Sequence, residues 1–345
     1  MVAPETQGRS DKALAVQATL RLNMTGLRED PAHEAERYRA AIEMAVFAEN
    51  QGFYSVNLEE HHCARNGWLP APLTLAAMII ARTKTIRVNV AALLVTLYHP
   101  IRLAEEIAIL DLVSGGRFSF VAGLGYRPVE YHAMGLRWED RGRLMDECIE
   151  TLLEAWKGEE FLYRGKPVRV TPTPMTRPHP IFLIGGMSPV AARRAARFGI
   201  PFFPPTARPD LRALYESELK RCGKTGFYLD AGDGNSMWIV DADPESSWKE
   251  LAPYFLRELK EYSSWRQEGV PRPSEEDVDT IEDLRRQKRF EILTADEARS
   301  RLARGEPSHA VLHPLAGGIP LERAWSILET FSREILQGSE TPGIR

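Results

Sequence analysis

Short apolar runs alternate with helical patterns along this chain, at a period that suits parallel strand-helix units and little else. Leu14 to Leu22 alternates small apolar residues with Gln17, Thr19 and Arg21, which predicts a first strand. His33 to Asn50 carries Ala35, Tyr38, Ile42, Val46 and Phe47 at helical spacing and stops at Gly52. Strand Tyr54 to Leu58, helix Leu73 to Arg82, strand Ile86 to Leu94, helix Arg102 to Val113 and strand Phe118 to Ala122 follow. A loop from Tyr126 to Gly135 leads to a helix over Arg141 to Trp156, and the proline-rich stretch Phe161 to Pro180 reads as a hairpin or extended excursion. Ile181 to Ile184 is a buried strand, Gly185-Gly186-Met187-Ser188-Pro189 opens a helix that ends at Gly199, and Pro201 to Phe203 is strand six.

Beyond this point the pattern gives a helix over Leu211 to Cys222, a strand over Asn235 to Val240 and a long helix from Asp243 through Trp265. Residues 266–294 read as a charged surface insertion with partial helix, before strand His309 to His313 and helix Leu321 to Ile335. Eight strand-helix units favour an α/β chain folded as a closed (β/α)8 TIM barrel over a doubly wound sheet, with insertions after strands 4 and 7. Residues 13–338 form one barrel domain in this reading, with 241–308 as the late insertion and 1–12 and 339–345 as tails. The first tail is polar and lacks the apolar core of a signal peptide, and no later run is long enough to span a bilayer.

Composition narrows the function. A net charge of −4 with 27% charged residues gives no basic face for nucleic acid. Cys63, Cys148 and Cys222 stand far apart without zinc or Cys-x-x-Cys spacing, so neither a disulfide framework nor a structural metal is expected, and a reducing cytoplasm fits.

Three constellations can carry chemistry. Glu60-His61-His62 sits where strand two hands over to its loop, on the rim where barrel enzymes keep their sites. Alternation would send the two histidines to opposite faces, which argues against a shared metal ion. A packed or solvated pair is the plainer alternative. Gly123-Leu124-Gly125-Tyr126-Arg127 follows strand four and offers backbone that a flat ring or a phosphate can approach, or simply a tight turn. In Gly185-Gly186-Met187-Ser188 the glycines free the first N–H groups of a helix for an anion; alternatively Ser188 is a plain N-cap. Leu93, Leu94, Val95 and Leu97 are either the dry wall of a site or ordinary core.

Taken together, several runs resemble the bacterial luciferase-like flavin monooxygenases. They are Glu60-His61-His62, Ala81 to Val88, His99-Pro100-Ile101-Arg102-Leu103-Ala104-Glu105-Glu106, Leu110 to Phe118, Gly185-Gly186 and His313 to Pro320. Residues 223–308 lie outside the resemblance. It implies a (β/α)8 barrel that takes reduced FMN as a diffusible substrate from a separate flavin reductase and oxidises a small organic substrate through a C4a-peroxyflavin. His61 matches the family's proton-handling histidine and Glu60 a neighbouring flavin-site acid. Gly125 and Tyr126 match the loop that follows the isoalloxazine. Luciferase proper has an arginine where this chain has Leu124, with Arg127 as the replacement. The Ala91-Ala92 bond matches the family's non-proline cis peptide under the ring. Gly185, Gly186 and Ser188 are then the phosphate site. A homodimer is also implied. A deazaflavin coenzyme with hydride chemistry and a non-catalytic flavin-binding protein remain the alternatives within the fold, ahead of a metal-dependent hydrolase.

Overall fold

The computed structural model describes residues 17–26, 30–230, 236–266, 269, 278–307 and 309–337. Its elements in chain order are β1 (Gln17–Leu22), α1 (Pro31–Asn50), β2 (Ser55–Leu58), α2 (Pro72–Arg82), β3 (Arg87–Leu93), α3 (Pro100–Ser114) and β4 (Phe118–Ala122). Next come α4 (Pro128–Ala133), α5 (Arg141–Ala155), the hairpin β5 (Phe161–Tyr163) and β6 (Lys166–Val168), β7 (Ile181–Gly185), α6 (Pro189–Phe198), β8 (Phe202–Phe203) and α7 (Pro209–Cys222). The chain finishes with β9 (Met237–Val240), α8 (Pro244–Ser264), α9 (Ile281–Gln287), β10 (Phe290–Leu293), α10 (Ala295–Ala303), β11 (His309–Leu312) and α11 (Leu321–Phe331).

Proline sets many of the helix starts. Pro31, Pro72, Pro100, Pro128, Pro189, Pro209 and Pro244 each stand in the first turn, where a missing N–H costs nothing and a fixed φ is already helical. Gly115, Gly199 and Gly223 end α3, α6 and α7 in the left-handed conformation that an L side chain resists.

All the strands except the β5–β6 hairpin join one parallel sheet, ordered β10-β9-β11-β1-β2-β3-β4-β7-β8. The plan is the expected strand-helix alternation, with nine strands in place of eight. Among the described residues no ladder joins β8 to β10. The added strand is β10, inside the stretch expected to be a surface insertion, and it pairs over its whole length with β9. Four residues between charged neighbours give little periodicity; burial of Phe290 and its stacking on Phe255 at 4.0 Å make them a strand. The loop expected over Tyr126 to Gly135 likewise contains α4. Helix α11 stops at Phe331 and continues as π-helix to Gln337. Residues 14–16 of the expected first strand, and both expected tails, lie outside the described residues.

Two charged groups, Asp111 buried and Arg117 half-buried, lock the scaffold. Asp111 on α3 accepts hydrogen bonds from the Met175 and Thr176 N–H groups at 2.6 and 2.8 Å, which ties the excursion before β7 to the helix layer. Arg117 donates to the carbonyl oxygens of Thr83 and Ile86. No described helix is long and apolar enough to cross a membrane.

Candidate active site

Strand β2 ends at Leu58, so Glu59, Glu60, His61 and His62 occupy the loop beyond it and strand alternation does not govern them. The two imidazoles still take different partners, His61 meeting Glu130 and Tyr126 and His62 meeting Glu60, but the loop and not strand alternation sets this. His62 Nε2 lies 2.9 Å from Glu60 Oε1, which also accepts the Tyr98 hydroxyl at 2.6 Å. Glu60 Oε2 accepts the Leu94 N–H at 2.6 Å. This carboxylate therefore braces the β2 loop against the end of β3, where the Ala91–Ala92 bond is cis.

His61 is buried and held at both ring nitrogens. Nδ1 lies 3.0 Å from Glu130 Oε1 on α4, and Nε2 lies 2.9 Å from the Tyr126 hydroxyl. The rings of Trp68, Tyr126 and Trp265 meet the imidazole edge-on with centroids 5.1, 5.1 and 4.8 Å away. Burial first, then the neighbouring Tyr262 and Glu130, push the Tyr126 phenol well above its ordinary range, so it stays a hydrogen-bond donor through neutral pH.

Arg127 closes the other side. Its Nη1 donates to the His62 carbonyl at 2.5 Å and to Glu130 Oε1 at 3.2 Å, and its guanidinium carbon stands 3.9 Å above the Trp265 ring. These partners all belong to the His61 cluster, and none is on the loop at Gly185 to Ser188. The arginine expected to approach a phosphate there is committed elsewhere.

At the end of β4 the chain runs against β3. The Gly123 N–H donates to the Leu93 carbonyl at 2.8 Å, and a Cβ on Gly123 would stand 2.8 Å from that of Ala92. Gly125 has a left-handed φ of +74° between Leu94 and Glu130. Farther along the rim, Ser188 caps α6 by accepting the Ala191 N–H at 3.3 Å. A Cβ on Gly186 would meet that of Ala191 at 2.5 Å, so the close packing of this loop on α6 requires a glycine there. The Met187 carbonyl accepts a bond from Arg208 at 3.2 Å.

Several residues of the cluster carried no local signal in the sequence: Glu130, Trp68, Tyr262, Trp265 and Glu258. Pro128 marks a helix start and could have placed Glu130 in its first turn, one turn from Arg127. Glu258, midway along α8, is buried against His313 at 3.1 Å, the Thr25 hydroxyl at 2.6 Å and the Gly317 N–H at 3.1 Å. Burial raises its proton affinity, but the charges of His313 and Arg21 and the bonds from His313 and Thr25 outweigh that and hold the carboxyl well below the usual range. Arg21 in turn pairs with Glu59. One turn beyond Glu258, Tyr262 packs on Trp68, Tyr126 and Trp265. Helix α8 is thus pinned by its acid and delivers its aromatic end to His61. Among the described residues no cluster of His, Cys, Asp or Glu is arranged to hold a metal ion.

Comparison with known proteins shows the family and the fold. The chain is 33% identical to the uncharacterized protein y4wF of Sinorhizobium fredii over 178 residues, 50% of this chain and 52% of that protein, so the match spans about half of each. The structure of monooxygenase RslO1 from Streptomyces bottropensis superposes with a TM-score of 0.73 at 22% identity, covering 93% of this chain and 99% of that one. The oxygenating constituent of 3,6-diketocamphane monooxygenase from Pseudomonas putida, solved in complex with FMN, superposes with a TM-score of 0.64 at 18% identity, covering 95% and 100%. The profile of the luciferase-like monooxygenases matches residues 22–307, and the chain belongs to that family.

Proposed function

We propose that this protein is the oxygenating component of a two-component system, taking reduced FMN from a separate flavin reductase and using O2 to oxidise a small organic substrate. The observation that carries the reading is His61, bonded at both nitrogens inside an aromatic shell and flanked by two buried polar atoms that have no partner, Trp68 Nε1 and Glu130 Oε2. Buried polar atoms are rarely left unpaired, and a donor and an acceptor around one imidazole suit a ligand with an amide-like edge. The flavin ring carries such an edge, and the α6 N-terminus that follows Gly185 and Gly186 suits its phosphate. The FMN complex of the Pseudomonas putida protein supports the same choice of cofactor.

Bound in its reduced form, FMN supplies the electrons that activate O2 at such a site. The chain's residues do the remainder. Gly185, Gly186 and Ser188 receive the phosphate, and Gly125 and Tyr126 line the path to it. Leu93, Leu94, Val95, Trp68 and Trp265, all buried, exclude water that would quench the reactive species. His61 takes and returns a proton at Nε2, the work an imidazole does well near neutral pH. A second copy of the chain, expected from the family resemblance, completes the assembly.

The test is oxygen uptake by the protein with pre-reduced FMN, scored against panels of aldehydes, sulfonates, amines and ketones. Uptake and product that rise together with one class support the proposal. Hydride transfer to a deazaflavin without oxygen uptake would replace it, and flavin binding with only background uptake would make the protein a carrier. Sedimentation of the pure protein checks the dimer.

A further inference from the structure

We propose that Glu130 is the positioning residue of the site: it fixes the tautomer of His61 and thereby makes Nε2 the working nitrogen. This rests on the reading of His61 as the proton-handling group. A carboxylate oxygen only accepts, so the His61 nitrogen 3.0 Å from Glu130 Oε1 carries the hydrogen. In the neutral ring Nε2 is then the bare acceptor, and it faces the Tyr126 hydroxyl at 2.9 Å. The same Oε1 takes the His62 N–H at 3.0 Å and Arg127 Nη1 at 3.2 Å, so three donors converge on one oxygen and keep it an acceptor. Glu130 is wholly buried, in the first turn of a helix that begins at Pro128.

The arrangement prepares the ring for a proton. When the Tyr126 hydroxyl passes its proton to Nε2 and takes one from a bound reactant, the imidazolium forms beside a carboxylate already in place, and the reverse transfer gives a proton to the product when the ring resets. Neither step needs Glu130 to be protonated. The other charged or titratable groups around the ring are Arg127, Tyr126 and, behind it, Tyr262 from α8, with Glu60 and His62 on either side in the chain. Arg127 opposes protonation of His61, so without Glu130 the ring would meet a cation alone.

The experiment begins on the protein without flavin. Nitrogen-15 NMR of labelled histidines, at a pH above the His61 titration, should show Nδ1 protonated and Nε2 bare. A ring protonated at Nε2 overturns the proposal, and this result needs no variant to fold. Glu130→Ala, checked for folding by circular dichroism, should lose that preference and show a mixture of the two tautomers. An unchanged Nδ1–H tautomer in the folded variant overturns the proposal as well. Glu130→Gln, whose amide oxygen can still accept from Nδ1–H, should restore it. If neither parent nor variant binds reduced FMN, the proposed function fails while the NMR result still decides the role of Glu130.

Discussion

The Trp265 ring meets the His61 imidazole edge-on at 4.8 Å, and the same ring carries the Arg127 guanidinium on its face. Trp265 follows directly on α8, whose position is set by Glu258. A residue from the least legible part of the chain therefore completes the shell around the most legible one.

Trp265→Ala is expected to cost about 3 kcal/mol of stability, the usual size for a buried tryptophan cut to alanine. It should also admit water, so that more hydrogen peroxide is released for each reduced flavin consumed. Urea unfolding measures the first effect and a peroxide assay the second. A variant with parental stability and parental peroxide yield would remove Trp265 from the shell.

What the sequence displayed and what it hid divide along physical lines. The alternation of strand and helix is a local pattern, and it was readable, although Pro31, Pro100 and Pro209 start helices that were expected to begin at His33, Arg102 and Leu211. His61, Tyr126 and Arg127 were readable as loop residues after strands, and the structure brings these three together. The long run Leu110 to Phe118 that helped to identify the family turns out to be scaffold, with Asp111 and Arg117 holding backbone groups. Glu130 lies 69 positions from the histidine it contacts, and no periodicity reports a meeting at that distance. Strand β10 was hidden because its four residues earn their place by packing on Phe255, not by pattern.

Glu258 gives a pH-dependent prediction. Its folded-state carboxyl titrates below the ordinary value near 4.3, so its contribution to stability is complete above that pH and is lost as the pH falls toward the folded value. Glu258→Gln should therefore flatten the acid limb of a stability-pH curve. At neutral pH it should cost about 3 kcal/mol, because His313 loses its charged partner in the interior. Denaturant melts from pH 3 to pH 7 make the comparison. Parallel acid limbs in parent and variant would mean that other carboxylates control acid unfolding.

Ser188 separates a cap from a ligand. Ser188→Ala should lose about 1 kcal/mol of stability as the α6 cap goes, and a further 1 kcal/mol or so of FMN affinity if the hydroxyl also meets phosphate. Ser188→Gly keeps most of the cap, so any affinity it loses belongs to the ligand. Gly186→Val should do more harm than either, since its Cβ would stand 2.5 Å from that of Ala191. Flavin titrations that give equal affinities for all three variants would move the phosphate away from this loop.

The histidine pair tests catalysis against binding most directly. His61→Ala should keep reduced-FMN affinity within roughly tenfold while substrate oxidation falls by about 10² or more, the scale of a lost general acid or base. His62 does different work: it meets Glu60, and Glu60 in turn holds the Leu94 N–H and the Tyr98 hydroxyl. His62→Ala leaves a buried carboxylate with one donor fewer, so its main effect should be on stability, by about 1–3 kcal/mol, with turnover at saturating flavin reduced far less. Rapid mixing of pre-reduced FMN with oxygen, followed by product and peroxide assays, distinguishes the two variants. Parental product yield in His61→Ala would remove the imidazole from the chemistry and leave the site as a place where flavin merely binds.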